Sequence, residues 1–510
     1  MIRNTSHHPI KEILHQHQPV VILIAALSLF RLVYIRLIPL TPQEAYYWYY
    51  SLKPDLSYFD HPPMTAYSIL LGTYLFGKTI FGVKVMAVFW SLLTNIVLYK
   101  TVLRATEYLP EEPRTQLALH TILLFNLTIF AHLYAILMVP DAPLLFFWMV
   151  MIYLTGEFLQ TGKSAYLLLT GVALGLGMVS KYTALAILPA IFLLILMNRE
   201  QRRGLLQPYP YLAVLLAFII FSPVIYWNSI HHWASFKFQF GHRTAHLHGW
   251  RLKYFWQLIA SQLFILTPYV MILFLITTGR LIKHWRRHGK AAFFFFTGIF
   301  ILGGFTLYSF RSLVKMNWLL PGYLGVTIAA CFIFYRPHLF REKPHKIGLT
   351  SSLLLIILSH LILLIPNIPL GEGNTWSGWK DAAQSIAALQ KESGGTKNSF
   401  IFANSYKAAS LIKFYLPVEQ EVYAQNIYGD PALQFDIWGI PDSLAGKDAW
   451  YVFSDRREYK PNLEKVKAVF EAVRLVKTFQ YDFREGIHTR TIYCYYCTRY
   501  QAIARLPRSQ

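Results

Sequence analysis

The chain has 510 residues, of which 55% are apolar and only 15% charged, with a mean hydropathy of +0.36. Soluble domains carry about 25% charged residues, so this chain cannot cover its surface with polar groups, and lipid must cover part of it. That excludes a soluble enzyme, a disordered protein and a disulfide scaffold. The net charge of +22 would suggest nucleic acid in a soluble protein. Here the basic residues sit mostly in short tracts between apolar runs, where topology signals belong, so lipid phosphates and headgroups are the better partners and nucleic acid is not expected.

A spanning helix needs about 20 apolar residues. Runs of that kind lie at 19–38, 79–103, 117–137, 143–160, 165–180, 183–197, 210–229, 255–280, 292–309, 318–335 and 347–366. The first is too long for a signal peptide and lacks a cleavage site. The fifth and sixth are short and fit either two thin helices or one re-entrant hairpin. Basic tracts follow the sixth run (Arg199, Arg202, Arg203), the eighth (Arg280, Lys283, Arg286, Arg287, Lys290) and the tenth (Arg336, Arg341, Lys343, Lys346). All three fall on one side if the runs alternate, and the positive-inside bias makes that side cytoplasmic. The N-terminus is then cytoplasmic, and everything after Pro366 lies outside.

The segment 43–78 reads as a long outer loop. It is rich in Tyr and Trp, which favour the membrane interface, and it holds Glu44, Asp60 and His61. Pro62-Pro63 stiffens the backbone beside the Asp-His pair, a frame suited to acid/base chemistry or a cation. Solvated loop charges are the plainer alternative. Glu44, Asp60 and His61 could bind a divalent ion, but their spacing is not diagnostic, so a divalent metal stays an open cofactor and no other is called for. Asp141 stands between two apolar runs in Val139-Pro140-Asp141-Ala142-Pro143, where a carboxylate is expensive unless used or paired. It could also cap the helix that follows. Lys181 breaks the fifth run from the sixth, a place suited to an anionic headgroup, although a snorkelling lysine would look the same. His242, Arg243 and Lys315 are basic groups on the outer side, which the positive-inside bias does not explain and phosphate contact does. Trp318 follows just inside the tenth run.

From Asn367 onward the composition changes. Alternating patterns at Ser399–Ala403, Trp450–Ser454 and Thr489–Tyr496 predict strands, and Trp379–Lys391 and Pro461–Val473 predict helices. The expectation is a transmembrane domain at 1–366 and a small α/β domain at 367–510. Of the three cysteines, Cys331 lies in an apolar run. Cys494 and Cys497 are three apart in a strand and face opposite ways, which argues against a disulfide or metal pair.

The order Gln43-Glu44-Ala45-Tyr46-Tyr47-Trp48, Tyr58-Phe59-Asp60-His61-Pro62-Pro63, Val139-Pro140-Asp141-Ala142-Pro143-Leu144 and Ser180-Lys181-Tyr182 resembles the bacterial membrane glycosyltransferases of the dolichyl-phosphate-mannose-protein mannosyltransferase-like group (PMT_2), relatives of the lipid A aminoarabinose transferase. Phe240-Gly241-His242-Arg243 and Lys315-Met316-Asn317-Trp318-Leu319-Leu320-Pro321 extend the likeness. It implies an α-helical polytopic membrane protein of GT-C type, with about 11–13 transmembrane helices and a small C-terminal periplasmic α/β domain, in a bacterial inner membrane. It implies transfer of a sugar from a polyprenyl-phosphate carrier to an envelope acceptor, lipid or protein, on the periplasmic face with inversion. Glu44, Asp60 and Asp141 would be the catalytic carboxylates. His61, Lys181, His242, Arg243, Lys315 and Trp318 would bind substrate. Related enzymes place an acidic pair where this chain has Gln43-Glu44, and loss of the first acid leans toward a phosphate acceptor, which is already nucleophilic. Two other classes compete: a transporter or flippase of lipid-linked anions, and an O-antigen-type polymerase or ligase. The first would need polar residues deep in several spans, and the second a large outer loop in mid-chain.

Overall fold

The computed structural model describes residues 9–242, 249–334, 342–369, 376–454 and 463–502. Two compact units emerge from it. One comprises Met1–Ile35, His61–Ser68 and Lys84–His360; the other comprises Arg36–Asp60, Ile69–Val83 and Leu361–Gln510. The second unit thus joins two stretches of the first 83 residues to the C-terminal part.

Among the described residues, seven helices are long and apolar enough to cross a membrane, or nine if each of two bent helix pairs is one span. In chain order the helices are α1 (Pro9–Tyr34), α2 (Pro42–Ser51), α3 (Met64–Phe76), α4 (Ile80–Ala105), α5 (Glu111–Asn126), α6 (Ile129–Ile136), α7 (Asp141–Thr161), α8 (Ser164–Ser180), α9 (Leu188–Met197), α10 (Tyr209–Ile230), α11 (Leu252–Leu266), α12 (Pro268–His284), α13 (Gly289–Tyr308), α14 (Leu320–Phe334) and α15 (Lys343–Leu364). The outward faces of α1, α10 and α15 carry exposed Leu, Ile, Val and Phe, as lipid-facing helices must.

Two runs expected as continuous spans are broken. The run at 117–137 becomes α5 and α6, bent by 74°, and the run at 255–280 becomes α11 and α12, bent by 114°. At the first break Thr128 is extended and its hydroxyl caps the Ala131 amide at 3.3 Å. At the second, Pro268 lacks an N–H and pushes the residue before it out of the helical region. Thr267 there has φ +66. Its hydroxyl lies 2.8 Å from Ser352 Oγ and donates to Leu127 O at 3.3 Å. A carbonyl freed by one break is thus satisfied at the other, as an apolar solvent requires.

The stretch 43–78 is not an extended loop. Thr41-Pro42-Gln43-Glu44 starts α2 with a reciprocal capping box and a proline in the first turn, and α3 follows. The fifth and sixth runs are two separate helices, α8 and α9, divided at Lys181 by a 3-10 turn at Tyr182–Ile187. In the bundle, α13 and α14 approach backbone to backbone. A Cβ on Gly298 would lie 2.2 Å from Gly322 O, so only glycine permits the contact.

The second unit holds a five-stranded mixed sheet: β1 (Ser399–Ala403), β2 (Val422–Tyr423), β3 (Asp448–Ser454), β4 (Phe470–Arg484) and β5 (Ile487–Tyr500), in the order β2-β1-β3-β5-β4. β1 runs parallel to β2 and β3, and β5 runs antiparallel to β3 and β4. The helices α16 (Trp379–Glu392) and α17 (Tyr406–Tyr415) flank β1 in sequence. Its core includes Phe400, Phe402, Tyr451 and Phe470. Helix expected over 461–473 is limited to a single turn at Leu463–Lys467. The chain then enters β4, where Leu475, Phe479, Tyr481 and Phe483 show mostly alternating spacing. Cys331, Cys494 and Cys497 are buried free thiols.

Candidate active site

The membrane unit brings together three polar side chains from distant parts of the sequence. Asp141 opens α7, Lys181 ends α8 with extended backbone, and Asn317 lies in the short turn before α14. Lys181 Nζ donates to Asp141 Oδ1 at 2.8 Å, and Asn317 Nδ2 donates to Asp141 Oδ2 at 2.9 Å. Asp141 is 2% exposed and Lys181 7%. The helix position held by Asp141 is that of a first-turn acid, yet its side chain makes no capping bond. Pro140 occupies the cap, and both Asp141 oxygens turn to Lys181 and Asn317 instead. The capping alternative therefore fails for the carboxylate.

The local backbone explains why Lys181 reaches inward. Its amide closes the last turn of α8 on Gly177 O at 2.8 Å. It then leaves the helix at φ −160, ψ 135, which turns the side chain off the helix surface. Tyr182, next in sequence, is anchored by a 2.7 Å bond between its hydroxyl and Ser235 Oγ. An ammonium has three donors, and the structure commits one of them to Asp141.

The remaining residues singled out in this unit have different surroundings. Lys315 is exposed, and its carbonyl accepts from the Trp318 amide at 3.1 Å. Trp318 is half-buried against Phe305, with ring centroids 5.1 Å apart. His61 is half-buried. Arg243 falls outside the described residues, and for His242 only the backbone is described. Asn317 went unremarked in the sequence, although it lies between Lys315 and Trp318.

A second polar cluster was also missed. Arg31, inside the first apolar run, is fully buried. It donates to Ser91 Oγ at 3.1 Å, to Asn126 Oδ1 at 2.7 Å and to Ala131 O at 3.4 Å. Asn126 in turn donates to Asn95 Oδ1 at 2.8 Å and accepts on its carbonyl from His132 Nε2 at 2.8 Å. His132 and His360 meet edge to face at 5.0 Å. The signal was present: an arginine in an apolar run is expensive and marks a polar interior.

In the other unit, Glu44 is fully buried. Its Oε2 accepts from the amide and hydroxyl of Thr41, each at 3.0 Å, completing the capping box of α2. Asp60 is buried and accepts a short hydrogen bond from the Tyr50 hydroxyl. Burial and the Asp60 charge both hold the Tyr50 phenol well above its ordinary value, so it stays protonated. Tyr50 stacks on Tyr58 at 4.1 Å. Among the described residues no group of three or more His, Cys, Asp or Glu could hold a metal ion.

Residues 60–227 match the family described as dolichyl-phosphate-mannose-protein mannosyltransferase. The chain is 22% identical over 416 residues to the lipid A galacturonosyltransferase RgtD of Rhizobium johnstonii, covering 79% of this chain and 84% of that protein. Its fold matches the structures of ArnT from Cupriavidus metallidurans, bound to undecaprenyl phosphate and in the apo state. Each match has a TM-score of 0.61 at 15% identity and covers 93% of this chain and 97% of that one. Residues 60–227 thus match the dolichyl-phosphate-mannose-protein mannosyltransferase family, and the chain is a membrane glycosyltransferase of GT-C architecture with a small C-terminal sheet domain.

Proposed function

We propose that this glycosyltransferase moves a sugar from a polyprenyl-phosphate carrier to a phosphate of a lipid A-type acceptor, on the periplasmic face of the inner membrane, with inversion. The observation that carries the reading is the buried Asp141–Lys181 pair. Breaking the bond between the anomeric carbon and the carrier phosphate leaves positive character on the sugar and negative charge on the phosphate. A carboxylate and an ammonium 2.8 Å apart complement those two charges where water is scarce. The electron pair of the breaking bond leaves with the phosphate oxygen, which the two uncommitted N–H groups of Lys181 can bind. The acceptor oxygen attacks from the opposite face and inverts the centre.

Both Asp141 oxygens already accept hydrogen bonds. The carboxylate therefore serves better as an electrostatic and orienting group than as a proton acceptor. That favours an acceptor with no proton to lose, a phosphate oxyanion, and agrees with Gln43 standing where related enzymes carry an acid. Glu44 and Asp60 are further candidate carboxylates toward the sugar. His61, His242, Arg243, Lys315 and Trp318 are candidates for substrate binding. The likeness to RgtD and to the undecaprenyl phosphate-bound ArnT supports the lipid acceptor and the carrier.

The test is transfer by purified enzyme from a polyprenyl-phosphate sugar to lipid A with and without its phosphates, alongside mass spectrometry of envelope lipids from cells with and without the gene. The expected result is a sugar missing from lipid A in the deleted strain and transfer only to the phosphorylated acceptor. An unchanged lipid A profile would overturn the acceptor assignment.

A further inference from the structure

At the far end of α7 from Asp141 lies a cavity of about 230 Å³. Sixteen residues separate Asp141 from Glu157, so the cavity sits roughly 24 Å along the helix from the catalytic pair. That distance approaches the thickness of the hydrocarbon core, about 30 Å, and places the cavity at the opposite membrane boundary. Its lining includes the apolar side chains of Ile152, Leu159, Phe293 and Phe294. Ionic groups of both signs, Arg104, Glu157 and Lys290, also line it. Arg104 Nε donates to Glu157 Oε1 at 2.6 Å, and Glu157 is buried. Lys290 Nζ donates to Ala105 O at 2.6 Å and lies 3.7 Å from the Tyr108 ring centroid. Arg104 Nη1 also pairs with Glu107, each cation retains N–H groups beyond these bonds, and a carboxylate offers about four acceptor sites.

We propose that this cavity binds the headgroup of a zwitterionic phospholipid carrying a primary ammonium, phosphatidylethanolamine in class, from the leaflet opposite the catalytic pair. The phosphate meets Arg104 and Lys290, and the ammonium donates to Glu157. The apolar side chains of the lining take the glycerol and the first methylenes. A purely anionic headgroup would leave Glu157 facing negative charge. A choline headgroup has no N–H to give it. A cavity of this size exceeds the 150 Å³ or so that holds benzene in an apolar core.

Gly156 provides the test. It lines the cavity, and a Cβ there meets only the Phe293 ring at 3.6 Å, an ordinary contact. Gly156→Leu therefore fills the space beside the Phe293 ring while keeping Arg104, Glu157 and Lys290, and it lies at the far end of α7 from the catalytic pair. The purified enzyme is placed in nanodiscs of phosphatidylethanolamine, phosphatidylcholine or phosphatidylglycerol, and retained lipid is read by native mass spectrometry. The wild type should retain one phosphatidylethanolamine, with phosphatidylcholine and phosphatidylglycerol at least about tenfold weaker, the scale of one charge-assisted bond. Gly156→Leu should lose the retained lipid while keeping its unfolding temperature and transfer rate in detergent. Glu157→Gln, where it folds, should bring phosphatidylethanolamine down to the phosphatidylcholine level. Equal or tighter retention of phosphatidylglycerol, no retained lipid, or retention unchanged in Gly156→Leu would each overturn the proposal.

Discussion

Replacing Lys181 with Met separates a structural ion pair from a catalytic one. Met keeps the length and apolar stem but removes the ammonium that Asp141 Oδ1 accepts from at 2.8 Å. Asp141, 2% exposed in the native protein, then keeps the bond from Asn317 as its one side-chain partner among the described residues. Breaking a buried pair from one side typically costs about 3–5 kcal/mol, because a buried charge is left uncompensated. The unfolding temperature in detergent should fall markedly. Neutralising the orphan should reverse the fall: Lys181→Met with Asp141→Asn should recover most of the stability, since an Asn beside Asn317 is neutral. Function should behave differently. If Lys181 binds the leaving phosphate, its loss removes a charge-assisted contact of roughly 1.5–3 kcal/mol, or between about ten- and 150-fold in donor use. The double variant should not regain it. The assay pairs thermal unfolding with transfer kinetics on a polyprenyl-phosphate sugar for the wild type, both single variants and the double. Wild-type unfolding together with wild-type donor use in Lys181→Met would refute both the burial argument and the phosphate assignment.

Three further outcomes are expected. Glu44→Gln should leave the unfolding temperature nearly unchanged, because Gln serves equally at the third position of a capping box, while transfer falls about a hundredfold if the carboxylate also acts on the sugar; unaltered kinetics would leave Glu44 as a cap alone. Gly298→Val should destabilise the bundle by several kcal/mol, above the ~1–3 kcal/mol usual for overpacking, because its Cβ would sit 2.2 Å from Gly322 O; unfolding at the wild-type temperature would contradict the close approach of α13 and α14. In the second unit, the hydrogen bond from the Lys413 ammonium holds Glu419 below its ordinary value of 4.5. A depressed carboxylate stabilises fully above that value and loses its contribution as pH falls through the lowered one. Glu419 is largely exposed, so the effect should be well under ~1 kcal/mol, visible as faster amide exchange near 413–423 as pH falls below that ordinary value and absent in Lys413→Met.

How much was legible in the sequence depended on how far apart the cooperating residues lie. Hydropathy over a window found nearly every apolar helix, because burial in lipid is decided by each segment alone. Alternation found β1 and β3, and the Thr41-Pro42-Gln43-Glu44 cap could have revealed α2, since a capping box acts within four residues. Pro268 likewise could have revealed the break in the run at 255–280, which was expected as one continuous span. Asp141 and Lys181 stood out as charges that an apolar stretch does not tolerate without reason. Their pairing did not, because 40 residues separate them, and Asn317 lies another 136 beyond Lys181. Arg31 was passed over because its partners Asn126 and Ala131 lie 95 and 100 residues away in sequence. The cost of a buried charge is local and shows in the residue itself. The group that offsets it is chosen by helix packing, which only the tertiary structure decides.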